Sequence, residues 1–206
     1  MSVIEGQSLT CIRDDRVLFE NLDLTVNSGQ VLQIKGKNGS GKTSLLRILS
    51  GLTQSYDGEV LWNSQNILHD RSAFFENLLY IAHGHGVKSE LTALENLRVF
   101  GALAGKSNDQ CENALKNIGL YGFENVPSSM LSAGQKRRVS LARLWTIEAT
   151  LWVLDEPFTA IDKQGIEVLE NLMLKHTQCG GMIIITSHQE LSLEKIPLNT
   201  IELSDV

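Results

Sequence analysis

Residues 36–43 constrain the fold of this chain more than any other segment. They are Gly36, Lys37, Asn38, Gly39, Ser40, Gly41, Lys42 and Thr43. This order fits the pattern G-x-x-x-x-G-K-[ST], in which a loop wraps its backbone around nucleotide phosphates. The glycines permit a close approach that a Cβ would block, so successive N–H groups can form an anion nest. An apolar run at 31–34 precedes the loop and an amphipathic run follows it. The pattern therefore predicts a strand, a phosphate-binding loop and a helix in succession.

The last residues of this loop have separate chemical tasks. Lys42 supplies a positive charge for the β- and γ-phosphates, and Thr43 offers a hydroxyl to Mg²⁺. A helix that begins near Gly41 adds the positive end of its dipole, and we count the adjacent Ser44 among the nucleotide-binding residues. The alternative interpretation is a glycine-rich turn that holds no ligand.

Strands and helices alternate along the chain. Strands are predicted at 9–12, 17–26, 31–34, 59–62, 78–81, 151–154, 182–186 and 199–203. Helical spacing covers 92–122, a further helix starts near residue 133, and another covers 162–175. The alternation predicts an α/β fold with a mostly parallel sheet. The strands before the phosphate loop predict a small antiparallel portion. We expect a single domain over residues 1–206, with an inserted helical lobe at roughly 88–145.

Charge and cysteine content narrow the classes of partner. A net charge of −6 over 206 residues disfavours a nucleic-acid surface, because neutralising phosphates requires a basic face. The basic cluster at 136–138 leaves a local contact with nucleic acid possible, but the solvated face of a helix is at least as good an explanation of this cluster. The three cysteines are widely spaced, without a C-x-x-C pair, so neither a disulfide framework nor a zinc knuckle is predicted.

Apolar segments are too short to predict a membrane span. The N-terminus lacks a basic region followed by an apolar run, so no signal peptide is predicted. Apolar runs such as 181–185 fall far short of the ~20 residues that cross a bilayer. Any membrane connection is expected to come through a partner.

A second acidic motif complements the phosphate loop. The apolar strand at 151–154 delivers Asp155 at its carboxyl end, where open α/β sheets bind ligands. Asp155 can hold Mg²⁺ through its water shell, and Glu156 can accept a proton from an attacking water. The alternative is a charged turn before Pro157.

Three further segments complete a family pattern. Leu131 is followed by Ser132, Ala133, Gly134 and Gln135. By itself this segment is a helix start with a capping box. Between the phosphate loop and the Asp155 strand it resembles the signature motif of ABC-type ATPases. Asp162 resembles the D-loop of that family, and His188 its switch histidine. The chain is thus similar to a P-loop NTPase of the ABC ATPase type over essentially its whole length.

This resemblance implies a composite site that binds ATP and Mg²⁺. Two such domains pair head to tail, so that each ATP meets the phosphate loop of one copy and the signature motif of the other. It implies catalytic roles for Lys42, Glu156 and His188, and metal ligation by Thr43 and Asp155. The residues expected to contact nucleotide are Gly36, Lys37, Asn38, Gly39, Ser40, Gly41, Lys42, Thr43, Ser44, Arg13, His83, Ser132, Ala133, Gly134, Gln135 and Asp162.

Two positions depart from the usual pattern of this family. Many members stack adenine on an aromatic side chain, but here the position is Arg13, whose guanidinium plane can also stack on a base. Many carry Gln in the loop that senses the γ-phosphate and contacts the membrane partner, but here it is His83. The segments 78–97 and 9–16 and the short length resemble the ATP-binding subunits of cytochrome c maturation, the so-called heme exporters.

His83 and His85 also raise the alternative of a heme or metal site, because residues i and i+2 of an extended segment share a face. No third ligand follows nearby, and heme needs an apolar pocket. A switch loop with two polar residues is therefore the favoured interpretation.

The resemblance implies an ATPase subunit that couples hydrolysis to heme export or to release of a heme-loaded chaperone. It would lie peripherally on the cytoplasmic face of the inner membrane, bound to integral membrane subunits and not to nucleic acid. Two alternatives stay open: the ATPase of an ABC exporter for another substrate, and a soluble ATP-gated module. A small-molecule kinase would leave residues 132–135 and His188 without a role.

Overall fold

A computed structural model describes residues 1–54, 56–105, 109–187 and 197–203. The strands are β1 (Val3–Arg13), β2 (Arg16–Asn27), β3 (Val31–Gly36), β4 (Asp57–Trp62), β5 (Gln65–Asn66), β6 (Leu78–Ile81), β7 (Leu151–Asp155), β8 (Met182–Thr186) and β9 (Leu198–Leu203). The α-helices are α1 (Lys42–Leu49), α2 (Arg71–Glu76), α3 (Ala93–Leu103), α4 (Cys111–Asn117), α5 (Ala133–Leu141) and α6 (Lys163–Gln178). Two 3₁₀-helices cover Ser128–Met130 and Ala142–Trp145.

The sheet that carries the phosphate loop has the order β6-β7-β8-β3-β9. Strand β3 pairs in parallel with β8 and β9, and β7 pairs in parallel with β8. Every residue of β7 and β8 is buried, which explains their unbroken apolar sequences. The mostly parallel α/β sheet predicted from the sequence is confirmed.

The antiparallel portion is also confirmed, as a second sheet of order β2-β1-β4-β5. Strands β1 and β2 are joined by a tight turn in which Asp14 and Asp15 have φ of 50° and 60°. Two successive positive φ values are typical of a type I′ hairpin turn. The turn places Arg13, the last residue of β1, opposite Arg16.

The chain divides into two compact units. Unit 1 contains Met1–Tyr80, Ala149–Asp155 and Leu174–Val206, and unit 2 contains Ile81–Glu148 and Glu156–Met173. Unit 1 carries the phosphate loop, and helices α3 to α5 belong to unit 2. In unit 2, both α3 and α5 begin with a capping box, formed by Thr92 with Glu95 and by Ser132 with Gln135.

Two elements differ from the sequence prediction. The helical stretch predicted at 92–122 contains α3 and α4 as separate helices, because the turn at Gly105 has φ 66° and ends α3. Helix α2 was not predicted. It is six residues long, and its clearest signal is Asp70, whose side chain accepts a hydrogen bond from Ala73 N at 3.0 Å.

Candidate active site

The phosphate loop runs from the end of β3 to the start of α1, as predicted. Gly36 has φ 146°, and a Cβ at this position would lie 2.5 Å from Ser40 Oγ and 2.7 Å from Leu203 O. Gly41 is the N-cap of α1 with φ 96°. Lys37, Asn38 and Gly39 are exposed, whereas Ser40 is buried. Only glycine satisfies both the conformation and the close approach at Gly36.

The Lys42 ammonium group lies over this loop. Lys42 Nζ donates hydrogen bonds to Gly36 O at 2.8 Å and to Lys37 O at 2.9 Å. Backbone carbonyls are neutral acceptors, and an ionised acceptor binds an ammonium about twice as strongly. A phosphate that enters the loop can therefore take over these donations.

At the carboxyl end of β7, Asp155 joins two hydroxyl groups of unit 1. Thr43 Oγ1 donates to Asp155 Oδ2 at 2.9 Å, and Thr186 Oγ1 donates to Asp155 Oδ1 at 2.8 Å. Asp155 is 2% exposed and Thr186 is fully buried. The last residues of two parallel strands and the first turn of α1 thus meet at one carboxylate.

This donor set fits Mg²⁺. Mg²⁺ binds oxygen ligands, typically a phosphate-loop hydroxyl, a carboxylate, waters and substrate phosphates. The Thr43 hydroxyl and the Asp155 carboxylate lie 2.9 Å apart and would provide two such oxygens at one place. Among the described residues no group of three or more His, Cys, Asp or Glu is placed to hold a metal ion. Few protein ligands are typical of Mg²⁺, which keeps waters and substrate phosphates in its shell.

Sequence reasoning missed two neighbours of this carboxylate, Thr186 and Tyr80. Burial and then the Asp155 carboxylate raise the pKa of Tyr80 to about 12, against the opposing effect of Arg47. Thr186 ends a predicted strand next to the strand that ends in Asp155, so a register argument would have found it.

A cavity of about 550 Å³ adjoins the start of α1 in unit 1. Its lining residues are Cys11, Ile12, Arg13, Thr43, Ser44, Arg47 and Thr53. Arg13 and Ser44, both expected to contact nucleotide, thus share a cavity with Thr43. The Arg13 side chain is 73% exposed and lies 3.8 Å from the Asp14 carboxylate. Ile12 is 55% exposed and offers an apolar surface that the sequence analysis did not consider.

The signature segment in unit 2 begins helix α5. Ser132 Oγ accepts from Gln135 N at 3.2 Å, and Ser132 N donates to Gln135 Oε1 at 2.9 Å. Ser132 and Ala133 are exposed, and Gly134 is half-buried. A Cβ at Gly134 would lie 2.7 Å from Ala160 O. The absence of a side chain at Gly134 therefore allows this helix start to approach the 156–162 segment.

The basic cluster at 136–138 is not the solvated face of a helix throughout. Arg137 is 1% exposed. Its Nη1 donates to Ala82 O at 2.6 Å and its Nη2 to Glu156 O at 2.9 Å. Arg138 pairs with Asp162 at 2.7 Å. The cluster holds loops of unit 2, a role that no local sequence pattern indicates.

Glu156 and Asp162, two further expected site residues in unit 2, lie outside the helices and strands. Glu156 has φ 49°, an uncommon conformation for a non-glycine residue and one that recurs at active sites. The Gly165 backbone N–H and Arg138 both donate to Asp162. These hydrogen bonds, with that of Gly165 largest, lower the pKa of the Asp162 carboxyl. His188 lies outside the described residues.

The two histidines after β6 differ in environment. His83 is exposed and His85 is half-buried. Burial, and then the positive charges of Arg137, His83 and Lys136, lower the pKa of His85. The interpretation of these two residues as part of a switch loop stays a prediction.

Comparison with known proteins identifies the family of this chain. The family model described as ABC transporter matches residues 19–159. The chain belongs to the ABC transporter family. The resemblance to ABC-type ATPases that the sequence indicated is confirmed. Within the described residues, no helix is both long and apolar enough to cross a membrane.

Individual relatives cover nearly the whole chain. The cytochrome c biogenesis ATP-binding export protein CcmA of Vibrio cholerae is 49% identical over 205 residues, which cover 98% of this chain and 99% of that protein. The protein of the same name in Escherichia coli K12 is 48% identical over 204 residues, 99% and 98% of the two chains. A solved structure of a putative ABC transporter ATP-binding protein from Pyrococcus furiosus has a TM-score of 0.83 at 26% identity, covering 98% of this chain and 97% of that one.

Proposed function

We propose that this chain is the ATP-hydrolysing subunit of a membrane complex for cytochrome c biogenesis. Hydrolysis would be coupled to heme export or to release of the heme-loaded chaperone. The observation that carries the proposal is the identity of 49% to a cytochrome c biogenesis ATP-binding export protein, over 98% of this chain and 99% of that relative. The contact between Thr43 and Asp155 at 2.9 Å supports the ATPase part.

In this proposal unit 1 binds the triphosphate. Lys42 exchanges its two carbonyl partners for phosphate oxygens, and the N–H groups of residues 37–43 surround the β-phosphate. Thr43 and Asp155 would hold Mg²⁺, which would neutralise charge on the β- and γ-phosphates when bound. The cavity lined by Arg13 and Ile12 takes the base, with the guanidinium plane or the isoleucine side chain against its face.

Glu156 accepts the proton of the attacking water, and His188 is proposed as the switch histidine that supports this step. A second copy of the chain supplies Ser132 and Gly134 to the γ-phosphate. The exposed start of α5 supports this role, because its free N–H groups and dipole favour an anion. The dimer would attach to integral membrane subunits on the cytoplasmic face of the inner membrane, with His83 near that contact.

The substitution Glu156→Gln tests the chemical step. The amide cannot accept the proton, so we expect ATP turnover to fall by roughly 10²–10⁴-fold while ATP affinity stays within about twofold. Turnover is measured by phosphate release and affinity by equilibrium titration. Glu167→Gln, at an exposed position of the same unit, is the matched control. Undiminished hydrolysis in Glu156→Gln would remove Glu156 as the base.

Affinity purification from detergent-solubilised membranes tests the biological assignment. We expect the wild-type chain to recover integral membrane proteins of cytochrome c maturation, and Glu156→Gln cells to lose mature cytochrome c. Recovery of a transporter unrelated to heme handling, with cytochrome c intact, would favour an exporter for another substrate. Recovery of no membrane protein would favour a soluble ATP-gated module.

A further inference from the structure

One guanidinium group in unit 2 contacts two loops that are distant in the sequence. Arg137 lies on α5, directly after the signature segment. It reaches the loop that follows β6 and the backbone of Glu156. We propose that Arg137 is a positioning residue for ATP hydrolysis, which fixes Glu156 and links it to the loop at residues 82–83. This inference rests on the proposed function, in which Glu156 is the base.

The contacts of Arg137 use separate nitrogens of one planar group. Nη1 donates to Ala82 O at 2.6 Å, with a longer contact of 3.5 Å to His83 O. Nη2 donates to Glu156 O at 2.9 Å. The guanidinium holds its donors in a rigid fork, whereas a lysine ammonium is a single point on a flexible stem. A lysine could satisfy one of these loops but would not fix the distance between them.

Burying the Arg137 guanidinium costs desolvation free energy, which its hydrogen bonds must offset. Arg137 is 1% exposed, and a buried cation stabilises a fold only when its geometry and hydrogen bonds are good. An apolar side chain would fill the same space without the desolvation cost. The carbonyls that accept hydrogen bonds from Arg137 belong to loops, where the regular backbone hydrogen bonds of a helix or sheet are missing. A role in setting the geometry of those loops explains why a charge is buried at this position.

The backbone of Glu156 has a conformation that needs such support. Its φ of 49° is a conformation that persists in a non-glycine residue only when its surroundings hold it. The hydrogen bond to Glu156 O fixes the peptide plane that leaves this residue, and so the direction of its Cα–Cβ bond. Relaxation of that plane would move the carboxylate away from the attacking water. Displacements of about 1 Å at a reacting group lower rates by as much as 10²-fold.

Because Arg137 contacts both segments, the position of the 82–83 loop affects the orientation of Glu156. His83 is exposed, and its backbone carbonyl lies beside Arg137. A partner that displaces this loop changes the position of Arg137 and therefore the orientation of Glu156. The link predicts that the loop and Glu156 respond together, through one side chain.

The test compares Arg137→Lys in two backgrounds, with Arg98→Lys as the matched control at an exposed pair with Glu112. In the otherwise wild-type chain we expect single-turnover hydrolysis to slow by about tenfold, with ATP affinity unchanged within about twofold. In Glu156→Gln, where the base is already absent, Arg137→Lys should slow hydrolysis by less than about twofold. An equal slowing in both backgrounds, or none in either, overturns the proposal.

Folding is checked by urea unfolding of every variant. If Arg137→Lys does not fold, Arg137→Gln keeps an amide donor without the charge and carries the same comparison. Failure of both to fold assigns Arg137 to stability alone and overturns the proposal. If the wild-type chain, purified with its membrane partners, does not hydrolyse ATP, the proposed function is refuted and this inference with it. If the wild-type protein hydrolyses ATP and Arg137→Lys does so at the same rate, the inference is overturned and the proposed function stands.

Discussion

The phosphate loop of unit 1 and the signature helix of unit 2 satisfy their polar groups in opposite ways. In unit 1, Lys42 is held by two carbonyls of its own loop, and Asp155 accepts from both Thr43 and Thr186. In unit 2, Ser132 and Ala133 at the start of α5 are exposed, and a capping box of Ser132 with Gln135 supports this helix start. These side chains of unit 1 have hydrogen-bond partners within one chain, whereas the start of α5 is open to solvent at Ser132 and Ala133.

This difference has a physical origin in the elements that carry the two surfaces. Unit 1 uses the ends of buried parallel strands, where apolar packing fixes the backbone. Unit 2 uses a helix start anchored by arginines, with Arg137 buried beneath it and Arg138 paired to Asp162. The phosphate loop of unit 1, where Lys42 and Thr43 are already paired, is suited to bind nucleotide in a single copy. The solvent-exposed start of α5 is suited to a contact that forms only when a second copy binds.

The largest expected effect is a loss of ATP affinity when Lys42 of the phosphate loop is replaced. Lys42→Ala removes charge-assisted hydrogen bonds to phosphate, each worth about 1.5–3 kcal/mol, so ATP should bind about a hundredfold more weakly. The free energy of unfolding should change by less than about 1 kcal/mol, since the hydrogen bonds of the Lys42 ammonium to described residues go to two loop carbonyls. Titration with a fluorescent nucleotide and urea unfolding measure the two quantities. Lys175→Ala, at an exposed position of α6, should change neither. Unaltered affinity in Lys42→Ala would contradict the assignment of this loop.

Acid should weaken unit 1 in particular. His176 stacks on Trp152 of β7 with ring centroids 3.7 Å apart, and burial lowers its pKa from 6.5 to about 4. The unfolded chain therefore binds a proton more readily, so stability is full above about pH 6.5 and falls as the pH drops towards 4. Between pH 7 and pH 5 we expect a loss of about 2 kcal/mol. Urea unfolding at the two pH values measures it.

The control for this pH effect uses two histidine variants. His176→Gln should lose most of the difference between pH 7 and pH 5, whereas His69→Gln, at an exposed position, should keep it. If His176→Gln retains the full difference, other groups cause the acid sensitivity.

A methyl group at Gly134 should disturb unit 2 without touching unit 1. The new Cβ would lie 2.7 Å from Ala160 O, a backbone atom. The segment must shift, which should cost about 1.5 kcal/mol of stability. ATP affinity of the single copy should be unchanged, because the phosphate loop lies in the other unit. Gly84→Ala adds a methyl group where no atom lies within 4 Å, and it should be neutral. Equal stability of the two variants would contradict the close approach.

The smallest expected effect comes from the cap of α5. Ser132→Ala removes the acceptor of Gln135 N and should lower the free energy of unfolding by about 1 kcal/mol. In thermal unfolding, the restoring change Ser132→Thr should recover most of the loss. The effect of Ser132→Ala on the rate of ATP hydrolysis should depend on protein concentration, because Ser132 is proposed to act across the dimer. A concentration-independent effect would place its role within one chain.

Local patterns predicted the parts of the site that follow from strand and loop chemistry. The strand before Gly36, the helix after Gly41 and the strand ending in Asp155 were each placed by apolar runs and glycine spacing. The capping box of Ser132 and Gln135 was predicted from four consecutive residues and is present. Helix α2 was missed because six residues carry too little periodicity to be recognised. The burial of Arg137 was missed because its acceptors, Ala82 and Glu156, are 55 and 19 residues away.

The sequence by itself determined the phosphate-binding chemistry, because glycine conformations, a lysine charge and a threonine hydroxyl act through neighbouring residues. It also determined the alternation of strands that forms the parallel sheet. Only the tertiary structure decided that Thr186 shares the Asp155 carboxylate, and that Arg137 is buried between two loops. Those contacts depend on which strands pair and how far a side chain reaches across the fold, and hydrogen bonds between distant segments leave no periodic trace along a chain.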